Sequence, residues 1–272
     1  MLKYIGNYQH KLMKKSVKKS SVYFYILIRS WDSFKYFNKC IDSVLGQSYK
    51  DFKILFVDDA SNYDQTQLKI IKDKLKNHIT VFNKVRKYSL FNAYTLIYNH
   101  AKNDNAVVLN LDGDDWLSNK NVLKYLSGIY SKTKCWFTYG ECYIWNGKEL
   151  AKSARSVMPY LNIPYPKKIV ASRQYRRYTF LPLHPRSWKV WLFKKIKRAD
   201  FLRPDGSWLR FAEDQAIFLP MLELAIDRLK VIRKPLYVYN TATNFSDVKK
   251  SLIEVLKDEL IIRKKKPYEE II

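Results

Sequence analysis

The chain has 272 residues, 47% hydrophobic and 28% charged, which is enough for a buried core and too apolar for a disordered polyelectrolyte. Lys and Arg number 50 against 25 Asp and Glu, a formal net charge of +25. That charge favours polyanions, an anionic membrane surface or phosphate-bearing ligands and says nothing of the fold. Three cysteines, Cys40, Cys135 and Cys142, form no CxxC pair; this argues against a disulfide scaffold or a structural zinc site and points to a reducing compartment.

Residues 1–20 are basic and aperiodic and read as a flexible tail. No small-residue cleavage site follows the basic run Lys11–Lys19, and the apolar stretch Val22–Ile28 is too short to span a bilayer. The expectation is a soluble, cytoplasmic chain. "VYFYILI" (22–28) predicts a buried strand. Phe34, Phe37, Cys40, Ile41, Val44 and Leu45 then recur at helical spacing, with Gly46 as C-cap. "FKILFV" (52–57) is a second strand and residues 64–76 a helix with Leu68, Ile71 and Leu75 on one side. "ITVF" (79–82) is a third strand, residues 89–102 a helix with Leu90, Ala93, Tyr94 and Ile97 facing in, and "AVVLNL" (106–111) a fourth strand. This alternation predicts a mainly parallel sheet with helices on both faces.

After Trp116 the pattern breaks. Residues 140–190 read as short strands and long loops, 206–225 as a helix carrying Trp208, Phe211, Ile217, Leu219 and Leu222, and "LYVYN" (236–240) as a late strand. Residues 247–265 form an amphipathic helix with Val248, Leu252, Val255, Leu256 and Leu260 on one stripe. Its basic opposite face continues into "RKKK" (263–266). Such a helix packs on the domain or lies on a membrane surface.

The seven glycines supply no GxGxxG, GxxxxGK[ST] or GxSxG, which excludes a dinucleotide fingerprint, a P-loop and a hydrolase elbow; there is no HExxH. Acid instead gathers after two of the predicted strands, as Asp58–Asp59 in "VDDAS" and as Asp112, Asp114 and Asp115 in "LDGDD". Ligands of open parallel sheets bind outside these carboxyl ends. Carboxylates packed so closely repel one another unless a cation sits among them.

With these motifs on the page, the sequence resembles the family 2 glycosyltransferases over residues 22–245. "VDDAS" matches the family's "VDDGS", "LDGDD" its "LDaDD" element, and "WLRFAEDQAIFLP" its later ED element; "SVLGQSY" also fits, and "TYGEC" and "HPRSWKVWLFKKI" look like a subgroup pattern. The first strand departs: "ILIRSWDS" lacks the proline of the family's "PTYN".

The resemblance implies a GT-A fold, a mixed, mainly parallel, Rossmann-like sheet flanked by helices. It would form a single catalytic domain over 21–245, with a nucleotide-sugar half (21–116) and an acceptor half (117–245), followed by a C-terminal helix (246–272). It implies a metal-dependent, inverting transfer from a nucleotide sugar, a UDP-sugar above others, to a hydroxyl of a glycan, a lipid-linked glycan or a protein.

Asp58 or Asp59 would hold the nucleobase and ribose, and Asp112 the ribose. Asp114, with Asp112 and His184, would ligate Mn²⁺ or Mg²⁺, hard cations that prefer oxygen and keep water and substrate phosphates as further ligands. Gly113 would leave room for the donor. Asp115 would orient the loop or cap the next helix. Arg186 would hold the diphosphate. Asp214 is the candidate general base on the face opposite the leaving group, with Glu213 as the alternative.

Tyr139 and Trp188 stack on sugar rings or belong to the core. Arg173, Arg176 and Arg177 read as a solvated basic loop. Three other readings compete. A polyanion- or nucleic-acid-binding module would bind any duplex with steep salt dependence but leaves the acidic clusters unexplained. A nucleotidyltransferase would need a Gly-rich loop that "IRSWDSF" lacks. An inactive glycan-binding relative would have no use for intact Asp112, Asp114 and Asp214. No specific nucleic acid is expected as a partner, whereas peripheral contact with an anionic membrane is compatible with the basic termini.

Overall fold

Strand β1 (Phe24–Ser30) is buried along nearly its whole length, and its residues alternate between two apolar layers. Tyr25 and Leu27 face one layer; Phe24, Ile26 and Ile28 face the other. A strand apolar on both sides suits the middle of a parallel sheet covered twice. The computed structural model describes residues 21–243 and 247–269, so the predicted tail 1–20 lies outside the described residues.

From β1 the chain runs through α1 (Phe34–Leu45), β2 (Phe52–Asp58), α2 (Gln65–Lys74), β3 (Ile79–Phe82), α3 (Tyr88–His100), β4 (Val107–Asp112) and β5 (Trp116–Leu117). It continues through α4 (Val122–Lys132), β6 (Phe137–Trp145), β7 (Leu150–Ser153), α5 (Ala154–Val157) and α6 (Lys167–Ser172). The last elements are β8 (Arg186–Lys189), α7 (Val190–Lys194), α8 (Glu213–Ala225), β9 (Leu229–Asn240) and α9 (Asp247–Lys264). Helix α1 buries Phe37, Cys40, Ile41 and Val44, one face at i, i+3, i+4 and i+7. Asp64 and Gln67 form a reciprocal capping box at the start of α2.

The strands order as β3-β2-β1-β4-β8-β6-β9-β5, with β7 beside β6. The first four are parallel; β8 joins β4 and β6 antiparallel, and β6 and β9 run parallel. The winding reverses between β1 and β4, which opens a crevice at their carboxyl ends. Helices α3, α7 and α8 cover one face and α1, α2 and α4 the other.

The amino-terminal half matches the expected alternation. Helix α4 carried no expectation, β6 starts three residues before the stretch expected to hold short strands, and β9 starts seven residues before "LYVYN". The helix expected over 206–225 begins only at Glu213. Ser207 closes a turn on Asp205, and Ala212 takes a left-handed conformation (φ 52°) that no continuing helix allows.

The arginine run is not a solvated loop throughout. Arg176 is buried and gives Nε and Nη2 to Glu223 at 2.6 and 2.9 Å. Tyr139 and Trp188 are fully buried core residues and not sugar-stacking surfaces. Helix α9 presents the unexpected face: Asp258 and Ile262 point inward, while Leu252, Leu256 and Leu260 stay 54%, 48% and 57% exposed. The side chain of Val248 lies outside the described residues. All three cysteines are buried and free. Among the described residues, no helix is long and apolar enough to cross a membrane.

Candidate active site

Strand register sets the site. Ser30 of β1 lies opposite Asp58 of β2, and Arg29 lies opposite Asp112 of β4, so both acid motifs open onto the end of β1. Arg29 gives Nη2 to Asp112 Oδ1 at 2.9 Å and to Asn110 Oδ1 at 3.0 Å. Its Nη1 lies 3.5 Å from Glu213 Oε1. One buried guanidinium thus ties the "LDGDD" motif to the ED motif. Burial, the largest influence, would raise the Asp112 pKa, but the neighbouring basic groups, Arg29 first among them with His184 and Arg186, together outweigh it and hold the carboxyl below its ordinary value.

The turn after β4 is gripped from two sides. The Gly113 N–H donates to the Arg29 carbonyl at 2.9 Å, and a Cβ at Gly113 would come within 2.9 Å of that oxygen and of Ser30 Cβ. This glycine is therefore required by the close approach of β1, a reason separate from the room it was expected to leave for the donor. On the other side Asp115, fully buried, accepts from Tyr237 Oη and the Asn240 N–H, both at 2.7 Å. Asn240 Nδ2 donates to the Asp114 carbonyl at 3.0 Å. Asp115 thus orients the loop by fastening it to β9 and caps no helix.

What remains is the Asp114 carboxylate. No Lys, Arg or His lies within ion-pair distance of it among the described residues. Burial and the neighbouring Asp112 push its pKa up to about 6.

His184 and Arg186 approach from the segment before and into β8. A cis peptide joins His184 to Pro185. His184 Nε2 lies 3.8 Å from Asp112 Oδ2, and the ring stacks on Tyr237 and Tyr239. Burial and Arg186 lower its pKa to about 3, so the imidazole is neutral at neutral pH. Arg186, buried over the Phe218 ring, gives Nη2 to the Pro182 carbonyl at 3.0 Å and to Asp214 Oδ2 at 3.3 Å. In this structure its charge is directed at the candidate base. Asp214 and Glu213 form the first turn of α8, where the helix dipole favours acids.

The other acid pair is spent on this chain. Asp58 accepts from Ser61 N–H at 2.9 Å and Ser61 Oγ at 2.5 Å, closing the loop after β2. Asp59 accepts from the Lys87 and Tyr88 N–H groups and from Asn83 Nδ2, all at 2.8 Å, and so caps α3. Both are buried at the carboxyl end of β2.

The crevice therefore gathers five carboxylates (Asp112, Asp114, Asp115, Glu213, Asp214) around two guanidinium groups (Arg29, Arg186) and a neutral imidazole. That excess of hard oxygen donors fits a divalent cation of the Mn²⁺ or Mg²⁺ class. No three His, Cys, Asp or Glu side chains among the described residues close a metal cage. A cation held here would complete its shell with water and phosphate oxygens. The residue that sequence reasoning missed is Arg29. Its signal was a lone charge inside an apolar strand, where the resemblance registered only a missing proline.

The described solved structures similar to this chain carry the same architecture. The first 349 residues of S. aureus TarS superpose with a TM-score of 0.58 at 18% identity, covering 88% of this chain and 72% of that one. A longer TarS chain is covered to 44%. Other TarS structures hold UDP or UDP-GlcNAc. The mannosyltransferase PcManGT of Pyrobaculum calidifontis, in complex with GDP-Man and Mn²⁺, gives a TM-score of 0.58 at 14% identity, covering 92% of this chain and 67% of that one. Glucosyl-3-phosphoglycerate synthase of Mycobacterium tuberculosis, with Mn²⁺, UDP and glucosyl-3-phosphoglycerate, gives 0.55 at 12% identity, covering 90% and 81%. These likenesses show the GT-A fold. No curated protein sequence matches the chain. The family model described as glycosyl transferase family 2 matches residues 25–196, well over half of the chain. With the sheet, the crevice and this match in agreement, the chain belongs to glycosyl transferase family 2 and is a glycosyltransferase.

Proposed function

We propose that the protein is a metal-dependent, inverting glycosyltransferase that moves a sugar from a nucleotide sugar, most simply a UDP-sugar, to a hydroxyl of a glycan, lipid-linked glycan or protein. The observation that carries this reading is the meeting of two acid motifs on one guanidinium: Arg29 reaches Asp112 at 2.9 Å and Glu213 at 3.5 Å. That meeting supports a site in which the carboxylates proposed for the metal and for the base serve one crevice, as transfer at a single anomeric carbon would require.

Asp114 would be the first ligand of Mn²⁺ or Mg²⁺, with Asp112 and His184, themselves 3.8 Å apart, as the further candidates and water and phosphate oxygens completing the shell. The ion when bound would screen the diphosphate and stabilise the departing nucleotide. Asp58 and Asp59 order the loop after β2 and the start of α3, and so shape the nucleoside end of the crevice. Asp214 takes the proton of the acceptor hydroxyl as that oxygen attacks, and Arg186 keeps its carboxylate oriented. Glu213, engaged by Arg29, is the second carboxylate of the pair and the alternative base.

The test is a thermal-shift panel of UDP, GDP, CDP and dTDP and their common sugars, with and without Mn²⁺. A ligand at about 100 times its Kd adds about 2.7 kcal/mol. At about 2–4 °C per kcal/mol for a domain near this size, one metal-requiring nucleotide should raise Tm by about 5–10 °C. Asp214→Asn should keep that shift and lose transfer by about 10²-fold or more. Absence of a shift with every nucleotide, or a shift indifferent to metal, overturns the proposal.

A further inference from the structure

We infer that the C-terminal helix α9 is part of the transfer machinery and that Asp258 on it is the positioning residue for Asp214. The inference rests on the role proposed for Asp214.

Asp258 is 0% exposed and all its bonds go to one segment. Its Oδ1 accepts from Arg203 Nε at 2.7 Å. Its Oδ2 accepts from Arg203 Nη2 at 2.9 Å and from the backbone N–H groups of Arg210 and Phe211 at 2.9 and 3.0 Å. Those two amides are the last before Ala212, which holds a left-handed conformation at φ 52°, ψ 32°, and Glu213 and Asp214 follow at once.

A left-handed alanine is strained and persists only where its surroundings over-determine it. Asp258 fixes the two residues before Ala212. Behind it, the Ala212 carbonyl accepts from the Ala216 N–H at 3.1 Å and Asp214 pairs with Arg186 at 3.3 Å. Freeing the amides of Arg210 and Phe211 lets Ala212 relax and swings the first turn of α8, where the base sits. Lys265 Nζ, just past the end of α9, anchors the turn just before that segment through the carbonyls of Ala199 and Leu202. The family match ends at residue 196, so this support comes wholly from sequence beyond it.

Two variants separate positioning from stability. Asp258→Ala strands both amides, whereas Arg203→Met breaks the same ion pair but leaves both amides bonded to Asp258. Hydrogen exchange read on peptides spanning 205–216 needs no substrate. Asp258→Ala should exchange at least about tenfold faster there, and Arg203→Met within about twofold of wild type. Turnover is read as release of the nucleoside phosphate from whichever nucleotide sugar shifts Tm. A base displaced by about 1 Å costs about 10²-fold, so Asp258→Ala should lose kcat by about 10- to 100-fold with donor KM within about twofold, and Arg203→Met should keep kcat within about threefold. Asp258→Asn, whose amide oxygen still accepts from the two N–H groups, should restore part of kcat, and it serves where the alanine variant does not fold. Equal exchange and equal kcat loss in Asp258→Ala and Arg203→Met overturn the inference, as does full turnover by Asp258→Ala. Fast exchange in Asp258→Ala with no nucleotide shift in wild type would instead fault the donor reading and leave the positioning contact standing.

Discussion

Arg29→Met removes the charge that joins the two acid motifs, and the structure sets the size of the effect. The Arg29 side chain is 7% exposed, and its partners Asp112 and Glu213 are 32% and 23% exposed. Stripping one partner from a buried ion pair costs about 3–5 kcal/mol. Because both carboxylates keep some water, the lower end applies, about 3 kcal/mol. The metal-free protein should then melt about 6–12 °C lower at pH 7.

The pH dependence has a definite sign. Arg29, ahead of His184 and Arg186, is the largest of the influences that together overcome burial and keep the folded-state pKa of Asp112 below its ordinary value. Such a carboxylate contributes its full stability above the unfolded-state value of about 3.9 and loses it as pH falls through the folded-state value. The deficit of Arg29→Met should therefore be full at pH 7 and shrink below about pH 4. Scanning fluorimetry at pH 7 and at about pH 3.5 reads both. A variant melting within about 2 °C of wild type at pH 7, or a deficit that does not shrink in acid, refutes the bridging role.

Asp114 gives the opposite sign: its folded-state pKa is pushed up to about 6, so the metal-free protein should lose stability as pH rises from about 4 to about 6. Asp114→Asn should remove that loss, together with the Mn²⁺-dependent nucleotide shift, both read by melts across pH. Gly113→Ala drives a Cβ to 2.9 Å from β1 backbone, and urea unfolding should show a loss of about 1–3 kcal/mol together with a weakened nucleotide shift. Arg176→Met should cost about 3–5 kcal/mol by urea unfolding, and adding Glu223→Leu should restore most of it, because the stranded carboxylate is then gone.

The parallel half of the fold was legible because its signals are local. Apolar runs such as "FKILFV" and "AVVLNL", and helical stripes such as Phe37, Cys40, Ile41 and Val44, each report their own element. The acid motifs were legible for the same reason, since Asp58 and Asp112 each close a strand and Asp214 lies in the first turn of a helix. The second half was less legible. The 206–225 stripe continued through Trp208 and Phe211, but a turn at Asp205–Ser207 and a left-handed Ala212 delay the helix to Glu213. The leucine stripe of α9 predicted its own burial, yet Asp258 turned inward because four donors wait for it there.

The sequence alone determined which chemistry is present: carboxylates at strand ends, an ED pair at the start of an apolar helix, and family motifs in order. Tertiary structure alone decided which cation meets which acid. Arg29 stands 83 residues from Asp112, and no local pattern announces their contact. Register between β1 and β4 creates it, and the packing of α8 beside them brings Glu213 to the same guanidinium. The same holds for Arg176 with Glu223 and Arg203 with Asp258, which a linear reading leaves as solvated charge. A charge finds its partner across the fold because burial makes an unpaired one intolerable, and burial is a property of the packed chain.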